Sequence, residues 1–236
     1  MNISIKRIQA IFMKDYKEFS RNYAVSSVIF VPIFFALFYG NMGVNSIQTY
    51  YLPINMTFSM VTAYIQACLI AEEKERNTLR SLMMSPASVA DILLGKSVLV
   101  SVVTAIILAL SMYLVGYIPE NIPVLVVGLA VSTVLYIALG IICGLFTKTV
   151  MEASLAILPV MLIFSFAPVA LGLGESHIAY QIVQWLPSSQ LLFLAEEMSK
   201  QASMMSLLTP IMIMSIWSVV AILISVVLFK KRTKDE

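Results

Sequence analysis

Gly95-Lys96-Ser97 is where residue types and order first suggest chemistry, since a glycine, a lysine and a hydroxyl in succession can cradle a phosphate. A phosphate-binding loop also needs a glycine five residues before the Gly-Lys pair, where the backbone must turn tightly. Ala90 holds that position, and the tripeptide runs on into an apolar stretch, so no nucleotide site is expected in this chain. No HExxH pattern occurs, and no pair of aspartates sits within an apolar run. The single histidine, His177, reads as an interfacial polar residue rather than a catalyst or ligand. Cys68 and Cys143 lie inside apolar runs, where a thiol behaves as a small hydrophobe, and no CxxC spacing points to metal or redox work. No catalytic, cofactor-binding or metal-ligating residue is therefore expected, and the chain does not read as an enzyme.

Composition explains why. Hydrophobic residues make up 60% of the chain and charged residues 12%, with a mean hydropathy of +0.92. A soluble domain of this length needs about twice that charged fraction to cover its surface. Lipid is the solvent that accommodates the excess. The net charge of +2 is too small to imply nucleic acid, and no basic cluster is interleaved with aromatics. No cleavable signal peptide is expected, because the first twenty residues are charged throughout and no A-x-A-like site follows the first apolar run.

Crossing about 30 Å of hydrocarbon takes about 20 helical residues. Six stretches qualify: roughly 23–40, 53–71, 92–116, 123–147, 153–173 and 207–229. Gly40-Asn41, Pro53, Pro119, Pro123 and the 172–175 segment read as the punctuation between them. Lys6, Arg7, Lys14, Lys17 and Arg21 precede the first span, and Lys74, Arg76, Arg80 and Lys96 flank the second connection. Lys148 sits at the fourth, and Lys230, Lys231, Arg232 and Lys234 follow the last span. Six crossings place all of these on one side, which the positive-inside rule makes cytoplasmic, with both ends there in a plasma membrane. Lys200 alone lies on the other side.

Two further segments are amphipathic. Ile5, Ile8, Phe12, Tyr16 and Phe19 recur at three- and four-residue spacing, so residues 1–21 read as an interfacial helix with its lysines toward anionic headgroups, or simply as a basic topology anchor. The 174–206 segment is too apolar for a solvated loop. It reads as a re-entrant hairpin of two short helices broken at Pro187, with Trp185 at headgroup level. The expected fold is an all-α membrane protein, a single transmembrane domain over 1–236, with a cytoplasmic connection at 72–91.

That connection is long enough to need a reason. Glu72 and Arg76 stand four residues apart in the favourable order, carrying the second helix into the cytoplasm. Asn77 tolerates the left-handed turn that ends a helix. Leu79, Leu82 and Met83 then share one face of a short helix with Arg80 beside them, Pro86 breaks it, and Ser88 with Asp91 gives a capping pattern for the third span. On these grounds alone the segment is either a docking helix or a hairpin lying on the membrane surface.

The stretch resembles the cytoplasmic signature of ABC-2-type transporter permeases through Glu73, Glu75, Thr78, Leu79, Leu82, Pro86 and the run Leu93, Leu94, Gly95, Lys96. Asn77 stands where that family usually has glycine. The N-terminal helix, six spans and an apolar external hairpin containing Leu186-Pro187 extend the likeness along the whole chain. The resemblance implies that Glu73, Glu75, Arg76, Asn77, Thr78, Leu79, Leu82, Met83 and Pro86 form a coupling helix. Such a helix docks on a separate ATPase subunit, which would hold ATP and magnesium. It also implies a second permease chain, identical or related.

Span centres contain no Asp, Glu, Lys or Arg, which disfavours an ion-coupled carrier. An ATP-independent transporter or channel, and a membrane anchor for a complex, remain the other readings. Thr57, Thr62 and Gln66 either face a substrate path or join helices by hydrogen bonds. The fifteen methionines either offer amphipathic cargo an adaptable surface or fill space. The expected cargo is a drug, a lipid-like molecule or a toxic peptide, moved outward.

Overall fold

The computed structural model describes residues 4–43, 46–76, 78 and 89–235. Among these, every regular element is helical. Helix α1 spans Ile5–Arg21. Six helices long and apolar enough to cross a membrane follow: α2 (Tyr23–Met42), α3 (Ile47–Glu75), α4 (from Val89 to Val115), α5 (Ile122–Phe146), α6 (Val150–Leu173) and, after two short helices, α9 (Met204–Lys231 within a longer helix). The two short helices are α7 (Ile178–Val183) and α8 (Pro187–Ser199).

The spans are not equivalent. In α3, 94% of the apolar window is buried within the fold, against 17–50% in the other five. α3 is thus the hub, and the others present their outer faces to lipid. Its hydropathy is also the lowest of the six, at 1.4. That follows from its position: a helix surrounded by protein can carry Asn55, Thr57, Ser59, Thr62 and Gln66, all buried, whereas a lipid-facing helix cannot.

α5 packs on α3 through Gly140 and Gly144. A Cβ on Gly140 would lie 2.5 Å from the Ala63 carbonyl oxygen, and one on Gly144 would lie 2.6 Å from that of Ala67. The spacing is the small-xxx-small seam that lets two membrane helices approach backbone to backbone.

Pro53, expected to mark the loop before the second span, instead lies inside α3, which begins at Ile47. The missing Pro53 N–H takes the usual donor from the Thr49 carbonyl, while the Pro53 oxygen accepts both the Thr57 amide and the Thr57 hydroxyl, the latter at 2.8 Å. Thr57–Ala63 continues as a π-helical segment, a wider winding that absorbs the disturbance. Pro210 likewise lies inside a helix, α9, within the expected span.

The segment between α6 and α9 does hold two short helices, as expected. α8 is not superficial, however: Pro187, Ser188, Ser189, Leu191, Leu192, Leu194 and Ala195 are all buried, and the helix packs against α5 and α9. Trp185 is exposed, and its carbonyl accepts the Trp217 indole N–H at 3.0 Å.

Candidate functional site

The basic end of the bundle, where α1, α3 and α4 meet, holds a buried cluster of charges. Lys96 is fully buried, and its Nζ donates to Asp15 at 3.1 and 3.2 Å and to Glu73 Oε1 at 2.9 Å. Lys14 also donates to Glu73, as does the Thr78 hydroxyl. Each carboxylate thus has a cation, and Glu73 accepts from three donors on three segments. Buried charges persist only when paired in this way.

The helix sequences explain the meeting. Ile8, Phe12, Asp15 and Phe19 fall on one face of α1 at three- and four-residue spacing, so an acid interrupts the apolar stripe. Asp15 and Phe19 are buried, while Ile8 and Phe12 are half-buried and Ile5 is exposed. α1 crosses α4 at Gly95, where an added Cβ would stand 2.8 Å from the Ile11 side chain and 3.3 Å from the Ile8 carbonyl oxygen. Gly95 therefore admits α1, and the next residue, Lys96, reaches under it to Asp15. The Gly-Lys pair that resembles a fragment of a phosphate loop is a helix-docking device.

Lysines on α1 are not all turned toward headgroups, as the amphipathic pattern had suggested. Lys14 reaches inward to Glu73, because that carboxylate lies within range and is shielded from water. Burial alone would lower the Lys14 pKa, but the hydrogen bond and charge of Glu73 outweigh it and hold the ammonium above its usual value. Burial pushes Asp15 above the usual carboxylate range, with Lys96 offsetting only part of that effect.

Neighbouring contacts extend the clamp. Arg7 lies 3.3 Å from Asp91, and the Ser4 amide donates to the same carboxylate at 3.0 Å, fixing the start of α1 to the start of α4. Arg76 pairs with Glu72 at 2.6 Å, the expected i,i+4 contact, and with Glu18 of α1 at 3.3 Å. Glu75 accepts the Val150 amide at 2.8 Å, at the N-terminus of α6 where a carboxylate is favoured. Lys74 donates to the Leu145 carbonyl at 2.8 Å and also to that of Thr147. The last turn of α3 thereby holds α1, α4, α5 and α6 at once.

Glu73, Glu75, Arg76 and Thr78 thus converge on the base of the connection. Asn77, Leu79, Leu82, Met83 and Pro86, with Arg80 and Ser88, lie outside the described residues. Asp15 was not singled out from sequence, although a lone acid on an apolar stripe is a detectable sign of a buried partner. The Gly140-x-x-x-Gly144 seam was equally readable and equally passed over.

Thr57, Thr62 and Gln66 lie in the interior of the bundle. Thr62 bonds Thr104 of α4 at 2.8 Å, and Ser59 meets Ser165 of α6 at 2.5 Å. Gln66 is buried against α5 beside Gly140, and its amide has no hydrogen-bond partner among the described residues.

A family model described as ABC-2 family transporter protein matches residues 1–227. The match takes in α1, the charge cluster and most of α9. No curated protein matches the chain.

Proposed function

This chain belongs to the ABC-2 transporter family, and from that membership we propose that it is the membrane subunit of an ATP-driven exporter whose separate ATPase subunits drive it through the 77–88 connection. That it is a multi-pass membrane protein and an ABC-transporter permease follows from the family and the six spans. The family pairs such permeases with ABC ATPase subunits, which here would carry the ATP and magnesium.

The observation that supports this mechanism most is the convergence at Glu73. The connection leaves α3 at residue 76 and re-enters the bundle at α4, and Glu73 and Lys96 link those two strands of chain directly. α1 is bound to both through Lys14 and Asp15. A push on the connection would therefore act on α1, α3 and α4 as one lever. α3, buried along its length, would carry the displacement to the opposite end of the bundle.

Two such chains, identical or related, would enclose the path, with the charged end cytoplasmic by the positive-inside rule and the membrane that of the cell. The cargo would be hydrophobic or amphipathic, consistent with spans that lack charged centres. Leu79 and Leu82 would form the apolar contact with the ATPase.

Affinity purification of the tagged chain in mild detergent, with mass spectrometry, tests this reading. A stoichiometric P-loop ATPase that is lost on Leu79→Asp with Leu82→Asp supports it. A chain that purifies alone and moves solute into liposomes without ATP overturns it.

A further inference from the structure

At the end of the bundle remote from Lys96, two adjoining cavities open between α3, α8 and the 116–121 turn. One, of about 260 Å³, is lined by Ile47, Tyr50, Tyr117, Glu120 and Met198 among others. The second, of about 290 Å³, shares Glu120 and Met198 and adds Glu197, Gln201 and Leu207. The two adjoin at Glu120 and Met198.

Their chemistry is one-sided. Tyr50 and Tyr117 present rings with centroids 5.4 Å apart and tilted by 42°. Tyr117 is held from behind by Tyr51, whose hydroxyl lies 3.1 Å from its own and whose ring meets it edge-on. The Glu120 carboxylate is exposed and makes no hydrogen bond or ion pair among the described residues. Its charge is felt at the Tyr117 phenol, which burial first, and Glu120 in addition, raise above the usual value. Among the described residues Glu197 is paired only with Lys200, at 3.1 Å, and that lysine is 63% exposed; such a pair is weak and easily exchanged. Across the connections at this end, Glu120, Glu175, Glu196 and Glu197 face Lys200 as the one lysine or arginine.

We propose that this double cavity binds an organic ammonium ion, with the cation against the touching pair of Tyr50 and Tyr117 rings and beside the Glu120 carboxylate, and an apolar substituent against Ile47, Met198 and Leu207. Aromatic faces with a carboxylate at one rim attract cations that are poorly hydrated, such as alkylammonium groups, and leave small hydrated ions in water. Neutral or anionic ligands gain nothing from the carboxylates. The inference deepens the transport reading: the cargo class is narrowed to amphipathic amines, met at the end of the path opposite the ATPase.

An ammonium group can belong to a dissolved amine or to a lipid headgroup, and one experiment separates them. The purified chain is placed in nanodiscs of phosphatidylglycerol, and binding of radiolabelled benzyltrimethylammonium is measured by equilibrium dialysis, with no ATPase present. Saturable binding is expected, weakened at least about tenfold by Glu120→Gln and by Tyr117→Leu, and kept by Tyr117→Phe, which retains the ring. The uncharged isostere neopentylbenzene should not compete. If phosphatidylethanolamine nanodiscs displace the probe, the natural ligand is a lipid headgroup; if they do not, it is a dissolved amine, and both results support the site. Binding unchanged in Glu120→Gln and Tyr117→Leu, or equal competition by the isostere, overturns it. Because no ATPase is involved, failure here leaves the permease reading untouched, and loss of ATPase association leaves this site untouched.

Discussion

Lys96 and Asp15, separated by 81 positions in the chain, meet through two hydrogen bonds of 3.1 and 3.2 Å with neither side chain reaching solvent. The pair is asymmetric in its consequences. Among the described residues Asp15 has only Lys96 as a direct partner, whereas Lys96 keeps Glu73 if Asp15 is lost.

Lys96→Met is therefore expected to be far more damaging than Asp15→Asn. The first leaves Asp15 buried without a partner, a loss of about 3–5 kcal/mol; the second leaves Lys96 on Glu73. Thermal unfolding of the two variants in the same detergent checks the order. The double variant Asp15→Leu with Lys96→Met should recover part of the loss of Lys96→Met alone, since it removes both buried charges.

Gly95→Val should detach α1 without preventing insertion. Its Cβ would meet the Ile11 side chain at 2.8 Å, an overpacking cost of about 1–3 kcal/mol. A cysteine introduced at Ile8, half-buried in the parent, should become fully reactive to a water-soluble maleimide in the variant.

Gly144→Leu should be harsher, because the atom it meets is a backbone oxygen of the hub at 2.6 Å, which cannot rotate away. Low yield of folded protein by fluorescence-detected gel filtration is expected, with Gly172→Leu, open to 4 Å around its Cβ position, as the tolerated control.

Docking of α1 should weaken at alkaline pH. Lys14 is held above the ordinary lysine value of about 10.4, so its stabilising contribution is complete below that value and is lost as pH rises through the folded pKa. The mobility of a nitroxide spin label attached at Ile8→Cys, read by EPR, should rise in this window. It should show a smaller pH-dependent rise in Lys14→Met, which has already lost that contact.

Much of this arrangement was legible in the sequence. Hydropathy located all six spans because lipid sets a minimum apolar length, five of them to within three residues, while α3 begins at Ile47 rather than 53; Glu72–Arg76 was readable from helical spacing. Pro53 misled because its usual role in water, ending a helix, lapses in a span that neighbouring helices surround. The direction of Lys96 was not legible: its partners lie on two other helices, and only packing at Gly95 brings them near. Asp15 sits on the stripe with Ile8, Phe12 and Phe19, and that placement was the available clue.

The burial of α3 also bears on how the protein is made. This helix is the second span to emerge from the ribosome, yet Gly140, which packs on its Ala63 and Gln66, is synthesised several seconds later at about 5–20 residues per second. During that interval Thr62 already has Thr104 of α4, but Gln66 lacks α5, and Asn55 waits longer still for the Ser188 carbonyl of α8. A chain arrested before Ile122 is therefore expected to be degraded rapidly in pulse–chase, and one arrested after Phe146 to persist. The least hydrophobic span of this subunit is thus expected to need shelter during synthesis until the fourth one arrives.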